Sequence, residues 1–131
     1  MQVLAEDGSL LACSLNAAWA ALVDAGVPLR VSLAVVAAAV TSQGAVLLDP
    51  TKAEECAASG SCCIVADVTQ DRSSCGPGPP GEAPAVAACL MQGQLSTAMF
   101  HDVIRASWRS AALVDSVHRR VAGAAWQAAL P

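Results

Sequence analysis

Four arginines near the end of the sequence are the side chains best suited to binding an anion. They lie with a histidine in one segment of helical pattern: Arg105, Arg109, His118, Arg119 and Arg120. Guanidinium groups bind phosphate through a planar fork of donors, so these arginines are candidates for contacts with nucleic-acid phosphates. The alternative is a solvated face, on which Asp102 and Asp115 pair with the arginines that follow them. We favour the solvated face, because no exposed aromatic residue interleaves with the arginines to stack on bases.

Cysteine, histidine and serine offer further chemistry. The six cysteines are Cys13, Cys56, Cys62, Cys63, Cys75 and Cys89. No C-x-x-C pair occurs, and only two histidines could help, so we predict no metal site and no cofactor. We interpret most cysteines as small buried apolar side chains rather than disulfide partners. The sequence lacks a G-x-S-x-G motif, so it gives no support for hydrolysis by a Ser–His–Asp triad. The prolines of residues 76–81 lack the N–H groups that a phosphate loop donates.

Composition and charge restrict the class of protein. The chain has 131 residues, enough for one modest domain, and is 55% apolar but only 3% aromatic. Its net charge of −4 argues against a protein that binds nucleic acid alone through a basic surface. The most apolar run, residues 33–40, is far shorter than the ~20 residues of a membrane helix. Glu6 and Asp7 disfavour a signal peptide, so we expect an intracellular protein without membrane contact.

Hydrophobic periodicity predicts the elements that position these groups. The first helix follows a turn and ends at Gly26; it is apolar nearly all round, so we expect it to be buried. A β-branched run predicts a strand covered on both faces. Ser96 is a good N-cap for a long last helix. One mostly apolar stripe is predicted along this helix, formed by Phe100, Val103, Ile104, Ser107, Trp108, Ala111, Val114, Val117 and Val121. The predicted order is strand 1–4, helix, strand 31–40, strand 45–49, short helix 52–58, strand 61–69, Pro/Gly-rich loop 70–84, strand 85–91 and long helix. The fold class is α+β, a mixed or antiparallel sheet with helices on one face.

Three segments resemble the ribonuclease PH family. They are the D-G-S-L-L-A motif of residues 7–12, the alanine-rich segment 15–26 ending in V-D-A-G, and V-L-L-D-P-T at residues 46–51. The match is specific over residues 1–51 and covers the C-terminal half of the family's domain. Within the family, the motifs look most like the exosome component five type. The resemblance implies a partial ribonuclease PH-type fold (ribosomal protein S5 domain 2-like) over the single domain 1–131. A truncated gene model, a splice form and a short divergent member are all compatible with this length.

The resemblance also permits a check of the family's catalytic groups. Active members bind phosphate through a G-T-R-T segment after the D-G turn, whereas the matching positions include Leu10 and Leu11. They also carry two aspartates six residues apart, which fall on Glu55 and Ser61. Leucine cannot bind an anion, and serine is not a carboxylate base. We therefore expect these four residues to be degenerate equivalents, with no catalytic, phosphate-binding or metal site.

The resemblance implies a non-catalytic structural subunit of the RNA exosome core ring that supports 3′–5′ processing and degradation of rRNA and mRNA. Its partners would be other ribonuclease PH-type subunits, with RNA reached through the complex, in the nucleus (nucleolus) and cytoplasm. The alternative is a phosphorolytic 3′–5′ exoribonuclease with Glu55 as the residual acid.

Overall fold

The computed structural model describes residues 2–69 and 85–129, except for the side chains of residues 125, 126, 128 and 129. Within these ranges the order is α1 (Leu10–Asp24), β1 (Leu33–Val40), β2 (Val46–Leu48), α2 (Lys52–Ala57), β3 (Gly60–Asp67), β4 (Ala85–Gly93) and α3 (Thr97–Ala129). This confirms the predicted order except at the start. Residues 2–6 form no strand, because no described strand lies beside them to share hydrogen bonds. The predicted loop 70–84 lies outside the described residues.

The sheet places β1 and β3 at its centre, in the order β2-β1-β3-β4. The described pairings are all antiparallel, and a short turn of five residues joins β1 to β2. Residues 34–40 of β1 are all buried, which confirms the strand predicted to be covered on both faces. Gly44, with φ of +83°, closes the turn between β1 and β2. The α+β class and the antiparallel sheet are therefore confirmed.

The two long helices lie on opposite faces of the sheet. Ala38 and Ile64 pack against Val103 of α3, whereas Val35 packs against Ala12 of α1. Successive residues of a strand point to opposite faces, so the prediction of helices on one face is wrong. The β-branched run in β1 supplies apolar side chains to both faces, and each face requires its own cover.

Helix α1 is much more exposed than its sequence predicted. Only Ala12 is buried, and four leucines are more than a third exposed: Leu10, Leu11, Leu15 and Leu22. The prediction of a buried helix is wrong for the described chain, because α1 contacts the sheet through a narrow face that includes Ala12 and Asn16. The predicted end is correct. Gly26 has φ of +68°, and the Val27 N–H donates to the Leu22 carbonyl, as in a Schellman motif.

One side chain of α1 completes the open edge of β1. Strand β2 pairs with β1 only from Ala38 onward, so Val35 lies beyond its end. The Asn16 amide takes the place of the missing strand. Its Nδ2 donates to the Val35 carbonyl at 2.7 Å, and its Oδ1 accepts from the Val35 N–H at 3.0 Å. Both backbone groups are thereby satisfied, which ties α1 to the sheet.

Replacing Asn16 with alanine should therefore lower the free energy of unfolding by about 2 kcal/mol, because two partly buried backbone groups lose their partner. Asn16→Asp keeps an acceptor for the Val35 N–H but cannot donate to its carbonyl, so its loss should be smaller. Urea denaturation monitored by circular dichroism measures both. An Asn16→Ala chain with wild-type stability would contradict this role.

Helix α3 forms the main cover of the sheet. It begins where predicted, with Ser96 Oγ accepting from the Met99 N–H at 3.2 Å. Its predicted apolar stripe is buried at Val103, Ser107 and Ala111, each at most 1% exposed. The same stripe becomes exposed further on: Val121 is 64% exposed. The predicted apolar stripe is thus buried against the sheet only in its first half. Among the described helices, none combines the length and apolarity that crossing a membrane requires.

Candidate functional site

The D-G turn and the segment before α2 are joined into one structural unit. The Lys52 N–H donates to the Asp7 carbonyl at 2.9 Å, and Ser9 Oγ donates to the Pro50 carbonyl at 3.0 Å. Gly8 lies between them with φ of +97°, and a Cβ there would be 2.3 Å from the Pro50 oxygen. Two motifs that are about forty residues apart in sequence therefore meet directly.

Helix α2 is set by a capping box at its start. The Thr51 N–H donates to Glu54 Oε2 at 2.8 Å, and the Glu54 N–H donates to Thr51 Oγ1. Such reciprocal bonds satisfy two orphan donors of a short helix. The hydrogen bonds from the Thr51 backbone and then from its side chain lower the pKa of Glu54. With its first turn fixed, α2 directs the next residue, Glu55, toward the D-G turn.

Glu55 lies at the N-terminus of α1. Its Oε1 accepts from the Ser9 N–H at 2.8 Å, and the residue is half-buried. Ser9 directs its own hydroxyl to Pro50, so the carboxylate of Glu55 is the anion beside the first turn of α1. A negative charge there is favoured by the helix dipole. Glu55, which the sequence predicted to be a degenerate catalytic residue, thus forms a hydrogen bond with the backbone at the start of α1.

If this contact is structural, Glu55→Ala should lower the free energy of unfolding by about 1 kcal/mol, as loss of a helix cap does. Glu55→Gln retains an oxygen acceptor for the Ser9 N–H and should lose less. Chemical denaturation of the two variants in parallel measures the difference. Equal stability of the alanine variant and wild type would show that the Ser9 contact contributes nothing.

The predicted degenerate residues line one cleft of about 510 Å³. Leu10 and Leu11 come from α1, Glu55 from α2 and Ser61 from β3. The structure therefore brings the four positions together, although their degenerate roles remain predictions. Sequence reasoning did not identify the other members of the lining, which include Lys52. In the sequence, only the closeness of Lys52 to Glu55 could have indicated that it lines the same cleft.

The charge of the cleft does not favour an anion. Its lining contains the carboxylates of Glu6 and Glu55 and one ammonium group, that of Lys52. Lys52 Nζ lies 2.8 Å from Glu6 Oε1, and the hydrogen bond to Glu6 raises the pKa of Lys52. The cation is therefore paired within the cleft, and the formal charge of these three groups is negative.

The cysteines are less buried than predicted. Of the five in the described ranges, Cys62 is buried and Cys63 is half-buried, whereas three are exposed: Cys13, Cys56 and Cys89. The exposed ones lie on α1, α2 and the edge strand, where nothing described covers them. Burial, followed by the neighbouring Cys89, raises the pKa of Cys62 to about 12, so this cleft residue is a neutral thiol at pH 7. Within the described residues, no three potential metal ligands converge.

The four arginines lie on α3, and none of them is among the residues that line the cleft. The two predicted ion pairs are confirmed: Arg105 bonds Asp102 at 3.1 Å and Arg119 bonds Asp115 at 2.7 Å. Asp115 is buried and also accepts from Ser32 Oγ at 3.2 Å, a link to the start of β1 that periodicity could not reveal.

Comparisons with known proteins agree with the resemblance in the motifs. No family model matches the chain. Exosome complex exonuclease RRP46 homologues from Arabidopsis thaliana and from Oryza sativa subsp. japonica are 47% and 49% identical over 55 residues, which is 42% of this chain and 23% of each relative. The crystal structure of rice Rrp46 matches with a TM-score of 0.79 and 27% identity, over 93% of this chain and 52% of that one.

A second solved structure supports the fold alone. Cell-death-related nuclease 5 of C. elegans matches with a TM-score of 0.56 and 24% identity, over 80% of this chain and 49% of that one. The class is thus a partial ribonuclease PH-type α+β fold. Within that class, the chain is similar to the exosome subunit Rrp46, as the D-G-S and L-D-P-T motifs indicated. It spans about a quarter of the curated relatives in aligned sequence and about half of the rice structure.

Proposed function

We propose that this chain acts as a non-catalytic structural subunit of an RNA exosome core ring, and that it supports 3′–5′ processing and degradation of rRNA and mRNA. Its partners are other ribonuclease PH-type subunits, and RNA is reached through the assembled complex. It works without a cofactor or a metal, in the nucleus, the nucleolus and the cytoplasm. The similarity to Rrp46 over most of the fold supports this role.

The lining of the cleft is the observation that carries the non-catalytic part. Where active family members are expected to hold phosphate, the first turn of α1 presents Leu10 and Leu11, and Ser61 stands where a second acid is expected. Active members also carry an acid at the position of Glu55, so the difference lies in the phosphate clamp and the second acid. An attacking phosphate therefore finds aliphatic side chains instead of a guanidinium.

Exposed apolar surface supports the need for partners. Strand β4 is exposed along its whole length at the edge of the sheet, and Leu90 and Met91 are each about half exposed. Edge strands of this kind are usually covered or charged in a stable monomer. Helix α1 adds four exposed leucines. A neighbouring subunit that covered these surfaces would stabilise the folded chain by mass action.

Assembly is tested by co-expressing the full chain with the ribonuclease PH-type ring subunits and measuring the product by native mass spectrometry. We expect one copy of the chain per ring, with β4 amides slower in hydrogen exchange than in the free chain. Substituting Leu90 and Met91 with glutamate should reduce incorporation, whereas Leu113→Glu on α3 serves as the matched control. A ring that forms with full stoichiometry and excludes the chain would contradict the proposal.

A second function has a specific observation in its favour. Glu55 retains a carboxylate in the cleft, and the curated relatives are named exosome complex exonucleases. In this alternative the chain is a phosphorolytic 3′–5′ exoribonuclease whose residual acid is Glu55. It requires phosphate to bind beside that carboxylate, so cations from another subunit would have to supply the clamp. The two functions differ in whether phosphate-dependent release of nucleotides requires Glu55.

A further inference from the structure

The second half of α3 presents an apolar stripe that nothing described covers. Leu113, Val117 and Val121 are 65%, 44% and 64% exposed. Residues four apart lie on the same side of a helix, and eight residues extend about 12 Å along its axis. Val121 continues the face that Val103 and Ala111 bury against the sheet, whereas Leu113 lies away from that face. We call these three residues the α3 stripe.

An apolar groove adjoins the stripe. It has a volume of about 380 Å³, lies between α1 and α3, and is walled by Trp19, Val23, His118 and Val121. The Trp19 and His118 rings stack with their centroids 4.8 Å apart and their planes 19° apart, which gives the groove a flat aromatic floor. Because Val121 belongs to both features, the groove and the α3 stripe form one continuous surface. Protein interfaces commonly place an anchoring side chain in such a pocket.

The exposed charges beside the α3 stripe are positive, although the lining of the groove also contains one carboxylate, that of Asp24. Arg109 precedes Leu113 by one helical turn and Arg120 follows Val117 by three residues, so both flank the α3 stripe. Neither forms an ion pair with a described residue. The chain as a whole carries −4, so this is a local positive region on an acidic protein. Its complement is a surface with apolar side chains bordered by carboxylates.

We propose that the α3 stripe and the adjoining groove dock an amphipathic helix of a partner protein whose apolar face is bordered by aspartate or glutamate. A helix fits because its own i, i+4 side chains match a stripe of this length. A protein partner is favoured over RNA because three exposed aliphatic side chains gain from burial in an interface. Single-stranded RNA is bound by exposed aromatic platforms, whereas Trp19 and His118 stack on each other and are only half-exposed. This docking is independent of the proposed role in the exosome ring.

The test uses the full 131-residue chain, labelled with ¹⁵N, and a designed helical peptide of five turns with leucines four residues apart and glutamates on both sides. We expect saturable chemical-shift changes confined to the second half of α3 and the end of α1. Leu113→Gln with Val117→Gln should weaken binding about tenfold or more, equivalent to losing one hot-spot contact. Leu4→Gln removes an exposed apolar side chain elsewhere and should leave affinity unchanged.

The second part of the binding test reverses the charge of the arginines. Arg109→Glu with Arg120→Glu should weaken binding of the glutamate-flanked peptide and strengthen binding of a lysine-flanked one, whereas Arg105→Glu, in the first part of α3, should do neither. All three positions are exposed, and a dispersed amide spectrum verifies folding of each variant. Absence of saturable binding, or binding that ignores the two apolar substitutions, would overturn the proposal. So would tighter binding of a single-stranded RNA that depends on the arginines alone, since the surface would then serve nucleic acid.

Discussion

Replacing Gly8 with alanine should lower the free energy of unfolding by about 2–5 kcal/mol, because left-handed backbone strain and steric overlap act together. Gly8 has φ of +97°, and an added Cβ would lie 2.3 Å from the Pro50 oxygen and 2.6 Å from the Lys52 nitrogen. These neighbours are backbone atoms, which cannot rotate away. The turn would have to move off α2, so the Ser9–Glu55 and Asp7–Lys52 bonds would be lost as well.

Gly26 offers a matched control. It also has positive φ, +68°, but a Cβ added at this glycine would meet no atom within 4 Å. Gly26→Ala should therefore cost only about 1 kcal/mol, the backbone component alone. Urea denaturation of both variants measures the two values. Equal losses would mean that the close approach of the D-G turn to residues 50–52 is absent in solution.

Ile64→Ala should cost about 2–5 kcal/mol, the range for removing a large side chain from a packed core. Ile64 is 1% exposed and packs with Val40 and Val103 where β1, β3 and α3 meet. A chain with a core built mainly of alanine and valine has little other apolar volume to compensate for the cavity. The loss should appear as a lower denaturation midpoint with an unchanged slope.

Leu90→Ala on the neighbouring strand is the control for this core substitution. Leu90 is 51% exposed, so in the free chain its truncation should change stability by no more than about 0.5 kcal/mol. If Leu90→Ala proved as costly as Ile64→Ala, β4 would be covered in the free chain, and that edge would need no partner.

Local sequence signals predicted most elements correctly. The unbroken apolar run of β1, the Ser96 cap of α3 and the Gly26 terminus of α1 each act through neighbouring residues, so the sequence alone is sufficient to identify them. Burial was harder to predict, because it depends on what lies opposite. The leucines of α1 and Val121 of α3 fit apolar stripes but are exposed, since hydrophobic periodicity identifies a face without specifying its cover.

The candidate site, like the fold, could be predicted only in part. The resemblance to ribonuclease PH proteins marked Leu11, Glu55 and Ser61 one at a time, and the structure places all three around one cleft. It could not foresee that Glu55 accepts from the Ser9 N–H, a contact between residues 46 apart. Such a bond depends on the tertiary fold, which spacing along the chain does not encode.

The most direct test of the non-catalytic role is a phosphorolysis assay on 3′-labelled RNA, using the purified complex that contains this chain. Glu55→Gln is the informative variant, because it removes the charge while keeping an acceptor for the Ser9 N–H. We predict that any phosphate-dependent release of nucleoside diphosphates is the same with the wild-type chain and with Glu55→Gln. Release that requires phosphate and disappears in the Glu55→Gln complex would contradict this role and establish the chain as an enzyme.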